Sequence, residues 1–262
     1  MSLSDLFAKT RAEGRGALVG YLPAGYPTVS GSVDLLKGMI EAGCDLVEVG
    51  VPYSDPVMDG PVIQAAATTA LSAGFRLRDV FTVVERVSAA GGKAVVMTYW
   101  NPVFRYGVNE FARDLAAAGG LGIITPDLIP DEAQDWLSAS EEHGLDRIFL
   151  VAPSSTEERI ASTAAATSGF LYATAVMGVT GAREAVGAGA AELVARARAH
   201  TSLPIGVGLG VRSGEQAAEV AGFADAVIVG SAFVARAAEG VGSVQTLAAE
   251  LAEGVRRPLV TR

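Results

Sequence analysis

Several residue types that carry familiar chemistry are scarce in this 262-residue chain. It has one cysteine, Cys44, which cannot form an intramolecular disulfide. Its two histidines, His143 and His200, are widely separated in sequence and do not form a metal-binding motif. The N-terminal segment lacks an apolar run long enough for a signal peptide. We therefore expect a cytoplasmic protein without a metal site.

Basic residues and long hydrophobic runs are also few. The 20 Lys and Arg residues are outnumbered by 29 Asp and Glu, which gives a net charge of −9. This balance argues against nucleic acid as the main partner, because phosphate binding needs clustered cations. Residues 161–182 lack charge over a length that could cross a bilayer, but Ser, Thr and Gly interrupt them. We expect a helix end, a buried strand and a loop there, with no membrane span.

Hydrophobic residues make up 50% of the chain and recur in short apolar runs. These runs predict eight strands, at 17–22, 45–50, 94–99, 122–125, 147–152, 169–175, 204–210 and 225–230. Helical patterns lie between them: residues 33–43, for example, space Leu35 and Met39 one turn apart and end at Gly43. Strands that alternate with helices indicate a parallel sheet.

Eight such units in one chain of this length favour a closed (β/α)₈ barrel over an open doubly wound sheet, since such barrels typically need about 250 residues. We predict one domain over residues 1–262, with an extra N-terminal helix and a short helix after the eighth strand. The active site of such a barrel lies at the carboxyl ends of its strands. This rule places the following residues around one mouth: Glu48, Tyr99, Asn101, Asp127, Tyr172, Gly210 and Ser231.

One of the predicted strands, the second, contains a carboxylate. Glu48 lies between Val47 and Val49, and a Pro- and Gly-rich loop with Asp55 and Asp59 follows. Charged residues are rarely buried without a partner or a task. Glu48 and an aspartate of the loop therefore form a candidate acid/base pair. The alternative is a salt-bridged glutamate followed by two loop-capping aspartates.

Small residues end the last two strands. The seventh ends in Gly206, Gly208 and Gly210, and the eighth ends in Gly230 and Ser231 before a helical stretch. Loops after these strands form the common phosphate site of barrels, because backbone N–H groups can approach the anion. The alternative is a set of packing glycines with Ser231 as an ordinary N-cap. The sixth loop, residues 177–190, has four glycines and is either a mobile lid or an ordinary flexible connection.

The most specific motif spans the second strand and its loop. It consists of Glu48, Gly50, Pro52, Tyr53, Ser54, Asp55, Pro56, Asp59, Gly60, Pro61, Ile63 and Gln64. This order resembles the signature of the tryptophan synthase alpha subunit family, although Met58 stands where the family usually has Ala. Residues 21–27, 97–103 and 125–133 resemble other family segments more loosely. The GVTG sequence of the sixth loop matches, as does Tyr172 before it, but Thr174, Ala175 and Val176 replace the usual polar run that ends in Arg.

The resemblance implies a lyase of L-tryptophan biosynthesis that cleaves indole-3-glycerol phosphate to indole and glyceraldehyde 3-phosphate. Glu48 would protonate the indole C3 and take the proton of the side-chain hydroxyl, and Asp59 would hold the ring N–H. We expect the apolar neighbours of Glu48 to raise its pKa. The substrate-binding residues would be Tyr99, Tyr172, Thr180, Gly181, Gly210, Gly230 and Ser231. Apolar walls for the indole ring would be Met97, Tyr99, Ile124, Leu150, Tyr172 and Leu209.

The resemblance also implies a partner. The chain would join a beta subunit in an alpha2beta2 hetero-tetramer, and pyridoxal phosphate would belong to that beta subunit, with no cofactor in this chain. Two alternatives remain open: a stand-alone indole-3-glycerol phosphate lyase, and a weakly active allosteric subunit. Phosphosugar isomerases share the phosphate site but would not need the motif around Glu48.

Overall fold

Nine parallel strands form the inner wall of the protein. The computed structural model describes residues 2–174 and 183–257, and of 183–188 it describes the backbone alone. The strands are β1 (Ala17–Pro23), β2 (Leu46–Gly50), β3 (Ala94–Met97), β4 (Gly122–Ile124), β5 (Asp146–Ile148), β6 (Leu150–Val151), β7 (Leu171–Thr174), β8 (Ile205–Gly208) and β9 (Ala226–Val229). Their order in the sheet is β5-β4-β3-β2-β1-β9-β8-β7-β6, so the first and last strands of the chain are neighbours.

Helices follow the strands and cover the outside of this wall. They are α1 (Leu3–Ala12), α2 (Val29–Glu41), α3 (Pro61–Ser72), α4 (Asp79–Ala89), α5 (Trp100–Tyr106), α6 (Val108–Ala117), α7 (Gln134–His143), α8 (Glu157–Ala166), α9 (Arg183–Arg198), α10 (Gly214–Ala221), α11 (Ser231–Ala237) and α12 (Val241–Val255). A 3₁₀ turn spans Pro130–Glu132. The predicted barrel is confirmed, including its N-terminal helix and the short helix after the last strand.

The prediction of eight strands needs one correction. The run at 147–152 is not a single strand, because it changes partner at Phe149. β5 pairs with β4, whereas β6 pairs with β7. The carbonyl of Phe149 accepts a hydrogen bond from the N–H of Tyr172 at 3.1 Å. The fifth strand of the barrel is therefore split in two. Its first part pairs with β4 and its second part pairs with β7, so this continuous segment closes the barrel.

Helix α2 shows how local sequence sets an element. The hydroxyl of Thr28 accepts the N–H of Gly31 at 3.0 Å and caps the start of the helix. Leu36 and Met39 are buried against the barrel. The chain then leaves the helix through Gly43, whose φ of 122° disfavours other residues. The helix predicted over residues 33–43 is thus present.

Two apolar layers position the site. One fills the barrel interior, and the other lies between the sheet and the helices. Helix α1 covers the amino-terminal end of the barrel, where Phe7 packs on Phe170 with ring centroids 5.6 Å apart. The strands' carboxyl ends are thus left as the accessible mouth.

The uncharged run at 161–182 forms the predicted helix end and strand in its described part. It contains the end of α8, a short turn and β7, and residues 175–182 lie outside the described part. Within 2–174 and 183–257, no helix combines the length and apolar character that a membrane crossing requires.

Candidate active site

Glu48 points into the barrel from the middle of the sheet. It pairs with Tyr21 of β1 and Val95 of β3, and its side chain shares the inner face with Leu46. The residue is 1% exposed, and its Oε1 has no hydrogen-bond partner among the described residues. Burial raises the pKa of the carboxyl to about 8. The expected upward shift is therefore confirmed, and the group is protonated at neutral pH.

Asp59 reaches the same pocket from the loop between β2 and α3. The hydroxyl of Tyr99 accepts the N–H of Met58 at 3.0 Å, and the amide of Gln64 donates to the Asp59 carbonyl at 2.7 Å. These bonds hold the loop from both sides of Asp59. Burial raises the pKa of the Asp59 carboxyl, and a hydrogen bond from Tyr99 opposes that shift. Asp59 is half-buried, whereas Glu48 is enclosed.

The two carboxyl groups line one cavity of about 380 Å³. Its wall consists of Tyr21, Glu48, Met58, Asp59, Gly60, Ile63, Met97, Leu150, Tyr172, Thr174, Gly208, Gly210, Ile228, Gly230 and Ser231. Among the described residues, no Lys, Arg or His lines it. A pocket that joins a mostly apolar wall to a few polar groups is typical of small-molecule sites.

Not every predicted wall residue lines this cavity. Met97, Leu150 and Tyr172 do. Ile124 is instead buried in the barrel interior, and Leu209 is buried in the main apolar cluster. Neither side chain lines the cavity.

The small residues after β8 and β9 form the side of the cavity where the phosphate was predicted. Gly210 has a φ of 67°, which favours glycine. A side chain at Gly206, in contrast, would meet Phe170 at 3.2 Å, so that glycine serves packing. Gly208, Gly230 and Ser231 complete this side of the wall.

Ser231 is not the N-cap of α11, which was the alternative to a phosphate-binding role. Gly230 occupies the N-cap position of α11, and no side-chain hydrogen bond caps this helix. The Ser231 hydroxyl is therefore not engaged in capping and lies on the cavity wall. Thr180 and Gly181, which were also predicted to bind substrate, lie outside the described residues, as does much of the predicted lid at 177–190.

Three of the residues that were predicted to lie around the mouth form hydrogen bonds that hold neighbouring segments together. Tyr99 holds the Asp59 loop through Met58, as described above. Asn101 donates to the hydroxyl of Tyr53 at 3.0 Å, and Asp127 accepts the N–H of Trp100 at 2.8 Å. These side chains tie together the loops after β2, β3 and β4. A direct contact of Tyr99 with substrate stays a prediction.

Tyr21 is the main wall residue that the sequence did not single out. Because Tyr21 lies in an apolar run, the sequence indicates a core residue, and its side chain is 7% exposed. Strand alternation could have identified Tyr21, because this residue pairs in register with Glu48 and so lies on the same face of the sheet.

Known proteins resemble this chain over nearly its whole length. A family model described as "Tryptophan synthase alpha chain" matches residues 7–258. The tryptophan synthase alpha chain of Nocardia farcinica is 66% identical over 258 residues, which cover 98% of this chain and 97% of that protein. That of Mycobacterium marinum is 65% identical over 255 residues, covering 97% and 95%. A chain in a structure of Mycobacterium tuberculosis tryptophan synthase superposes with a TM-score of 0.93 at 62% identity, covering 97% and 98%.

Proposed function

Because the chain belongs to the tryptophan synthase alpha chain family, we propose that the cavity bounded by Glu48 and Asp59 is its active site. The chain is a lyase that cleaves indole-3-glycerol phosphate to indole and glyceraldehyde 3-phosphate in tryptophan biosynthesis. The observation that carries the site assignment is the buried, unpaired carboxyl of Glu48 in a cavity that also receives Asp59.

Glu48 supplies the proton that starts the reaction. Carbon is a poor leaving group unless the indole C3 is protonated before the carbon–carbon bond breaks. A pKa of about 8 keeps the Glu48 carboxyl protonated at neutral pH, so it can act as this acid. After the transfer it is a carboxylate in an apolar site, and therefore a base for the side-chain hydroxyl that becomes the aldehyde. One group thus both gives and takes a proton.

Asp59 stabilises the cation that this protonation creates. Positive charge develops at the ring nitrogen, and an ionised carboxylate beside the N–H lowers the energy of that state. Asp59 lies on a loop that is held by Tyr99, so its carboxylate can be placed beside the ring. The role is electrostatic and needs no proton transfer by Asp59.

The rest of the cavity suits the remaining parts of the substrate. Met97, Leu150 and Tyr172 offer an apolar surface for the flat indole ring. Gly210, Gly230 and Ser231 lie on a part of the wall where small residues allow the backbone to approach a phosphate. A volume of about 380 Å³ is in the range of small-ligand sites.

A partner is expected on the same face. The exposed large apolar side chains of the described residues include Val57, Met58, Phe104 and Ile129, which are 76%, 49%, 64% and 41% exposed. They follow β2, β3 and β4 and so surround one side of the mouth. Exposed apolar groups that cluster in this way mark interaction surfaces. We assign them to a beta subunit within an alpha2beta2 assembly.

Met58 links this surface to the chemistry. It is exposed, lines the cavity and precedes Asp59. Docking of a partner on Met58 would therefore also fix the Asp59 carboxylate. Pyridoxal phosphate, by the family resemblance, belongs to the beta subunit, and no step assigned to this chain uses it. A cytoplasmic location and a single domain over the whole chain stay predictions from the sequence.

The direct test is release of indole from indole-3-glycerol phosphate by the purified chain, alone and with one equivalent of a beta subunit. We expect equal amounts of indole and glyceraldehyde 3-phosphate, and a faster rate with the partner. Indole glycerol without the phosphate serves as the control substrate and should show a much higher KM. A fast rate that the partner leaves unchanged would favour the stand-alone lyase, and no indole under either condition would refute the proposal.

A further inference from the structure

Tyr21 combines burial with a position beside both carboxyl groups. It pairs with Glu48 across β1 and β2, and it lines the cavity together with Glu48 and Asp59. Its ring is almost fully buried, at 7% exposure. The residue therefore belongs to the pocket and not to the general core.

Glycines on both neighbouring strands make room for the ring of Tyr21. A Cβ built on Gly50, at the end of β2, would lie 2.4 Å from the Tyr21 hydroxyl oxygen. On the other side, a Cβ on Gly230 would lie 3.6 Å from the ring. The hydroxyl thus points along β2 past Glu48, toward the carboxyl end of the barrel where the Asp59 loop begins. No residue other than glycine fits at position 50 without moving this ring.

The Tyr21 hydroxyl is available for a new contact. Among the described residues it makes no hydrogen bond, and only burial and nearby charges act on its pKa. Burial raises the pKa of Tyr21 well above its ordinary value, and the charges of Asp59 and then Glu48 raise it further. The phenol therefore keeps its proton and can act only as a neutral donor or acceptor in the working pH range.

We propose that the Tyr21 hydroxyl donates a hydrogen bond to the Asp59 carboxylate when the loop closes over the substrate. Tyr99 already holds the backbone of this loop from the β3 side through Met58. Tyr21 approaches from the β1 side, so the two phenols fix Asp59 from opposite directions. Tyr21 is then a positioning residue that acts through Asp59, and the inference rests on the proposed role of that carboxylate.

The groups that titrate around Asp59 are few. Glu48 faces the cavity from β2, Tyr21 from β1 and Tyr172 from β7, and Tyr99 follows β3. Since no cation lines the described wall, the side-chain donors there are hydroxyl groups, and the phenols of Tyr99 and Tyr21 are the ones that interact with the Asp59 carboxylate. A hydrogen bond to the ionised form lowers the pKa of a carboxyl group. Removal of the Tyr21 hydroxyl should therefore raise the pKa of Asp59.

The test compares Tyr21→Phe with wild type in the complex with a beta subunit. We expect kcat to fall by about ten- to a hundredfold, as for loss of a hydrogen bond to a charged group, with little change in KM. The acidic limb of the kcat profile, which reports the substrate complex, should move to higher pH, because more Asp59 is protonated at a given pH. Tyr26→Phe is the matched control, since it removes the same atom from a phenol that does not line the cavity.

Each outcome separates the possibilities. A Tyr21→Phe enzyme with wild-type kcat and an unmoved profile would overturn the inference. A lower kcat with an unmoved acidic limb would also overturn it, because the hydroxyl would then not act through Asp59. If wild type itself releases no indole, the proposed function fails, and that result is recognised before any variant is compared.

Discussion

At the scale of single residues, the proposed chemistry depends on what burial does to the carboxyl group of Glu48. Glu48 has no counter-ion among the described residues, so the interior disfavours its charged form and raises its pKa to about 8. The alternative of a salt-bridged structural glutamate is thereby contradicted. Asp59 is less buried than Glu48, and a hydrogen bond from Tyr99 opposes the rise in its pKa. The two carboxyl groups of one cavity thus lie in different surroundings, and burial raises the pKa of both.

Glu48 should make the stability of the protein depend on pH. Its pKa is 4.5 in the unfolded chain and about 8 when folded, so the folded state holds the proton more tightly. The stabilisation that comes from protonated Glu48 is fully present below pH 4.5 and is lost as the pH rises through about 8. Between these values wild type should lose up to about 1.4 kcal/mol per pH unit relative to Glu48→Gln, which cannot ionise. Denaturant unfolding of both proteins from pH 5 to 9 measures this, and parallel curves would contradict the shift.

Asp59→Asn should separate chemistry from binding. The amide keeps the shape but loses the negative charge that stabilises the indolenine cation. We expect kcat to fall by about a hundred- to a thousandfold, with unchanged affinity for indole measured by calorimetry. Asp55→Asn, in the same loop but outside the cavity wall, is the control. Equal losses in both variants would mean that the loop matters and the Asp59 charge does not.

At the scale of elements, the sequence predicted the strands well because each buried parallel strand is a short apolar run. It did not predict the break at Phe149, since the change of partner from β4 to β7 leaves no local trace in the apolar residues 148–152. Asp127 and Asn101 follow β4 and β3 as predicted, yet they hydrogen-bond to Trp100 of α5 and to Tyr53. Position along a strand fixes the end of the barrel but not the direction of a side chain. Tyr21 was missed because its role depends on register with Glu48, a non-local property.

The loops after β8 and β9 provide a test of the phosphate position. Gly230→Asp places a negative charge on this wall, and its nearest neighbour would be 3.6 Å from the new Cβ, so the backbone can stay in place. We expect KM for indole-3-glycerol phosphate to rise about tenfold to a hundredfold through charge repulsion. Gly242→Asp, in open space in the first turn of α12, is the matched control. An unchanged KM for Gly230→Asp would place the phosphate elsewhere.

At the scale of the whole molecule, one face carries both the chemistry and the expected partner contact. Exposed Val57 and Met58 precede Asp59 on the same loop, whereas Glu48 lies on a strand inside the barrel. Partner binding can therefore change the position of Asp59 without disturbing Glu48. We therefore propose that control by a second subunit acts through the Asp59 loop and leaves the strand that carries Glu48 in place.

Titration with a beta subunit should reveal this control. We expect kcat for indole release to rise and to saturate at one beta subunit per alpha chain, because docking orders the Asp59 loop. Val57→Asp, which places a charge on the docking face, should weaken the activation but leave the rate of the isolated chain unchanged. If activation does not saturate at a one-to-one ratio, or if Val57→Asp has no effect on it, the assigned surface is wrong.

The most direct test of the proton-transfer role of Glu48 is the steady-state rate of indole release by Glu48→Gln, measured at saturating indole-3-glycerol phosphate and with saturating beta subunit. Glutamine preserves the shape of the side chain but cannot transfer a proton to the indole C3. We predict a folded protein whose kcat is lower than that of wild type by a factor of about 10² to 10⁴. A Glu48→Gln protein that turns over at the wild-type rate would contradict the assignment of Glu48 as the catalytic acid and base.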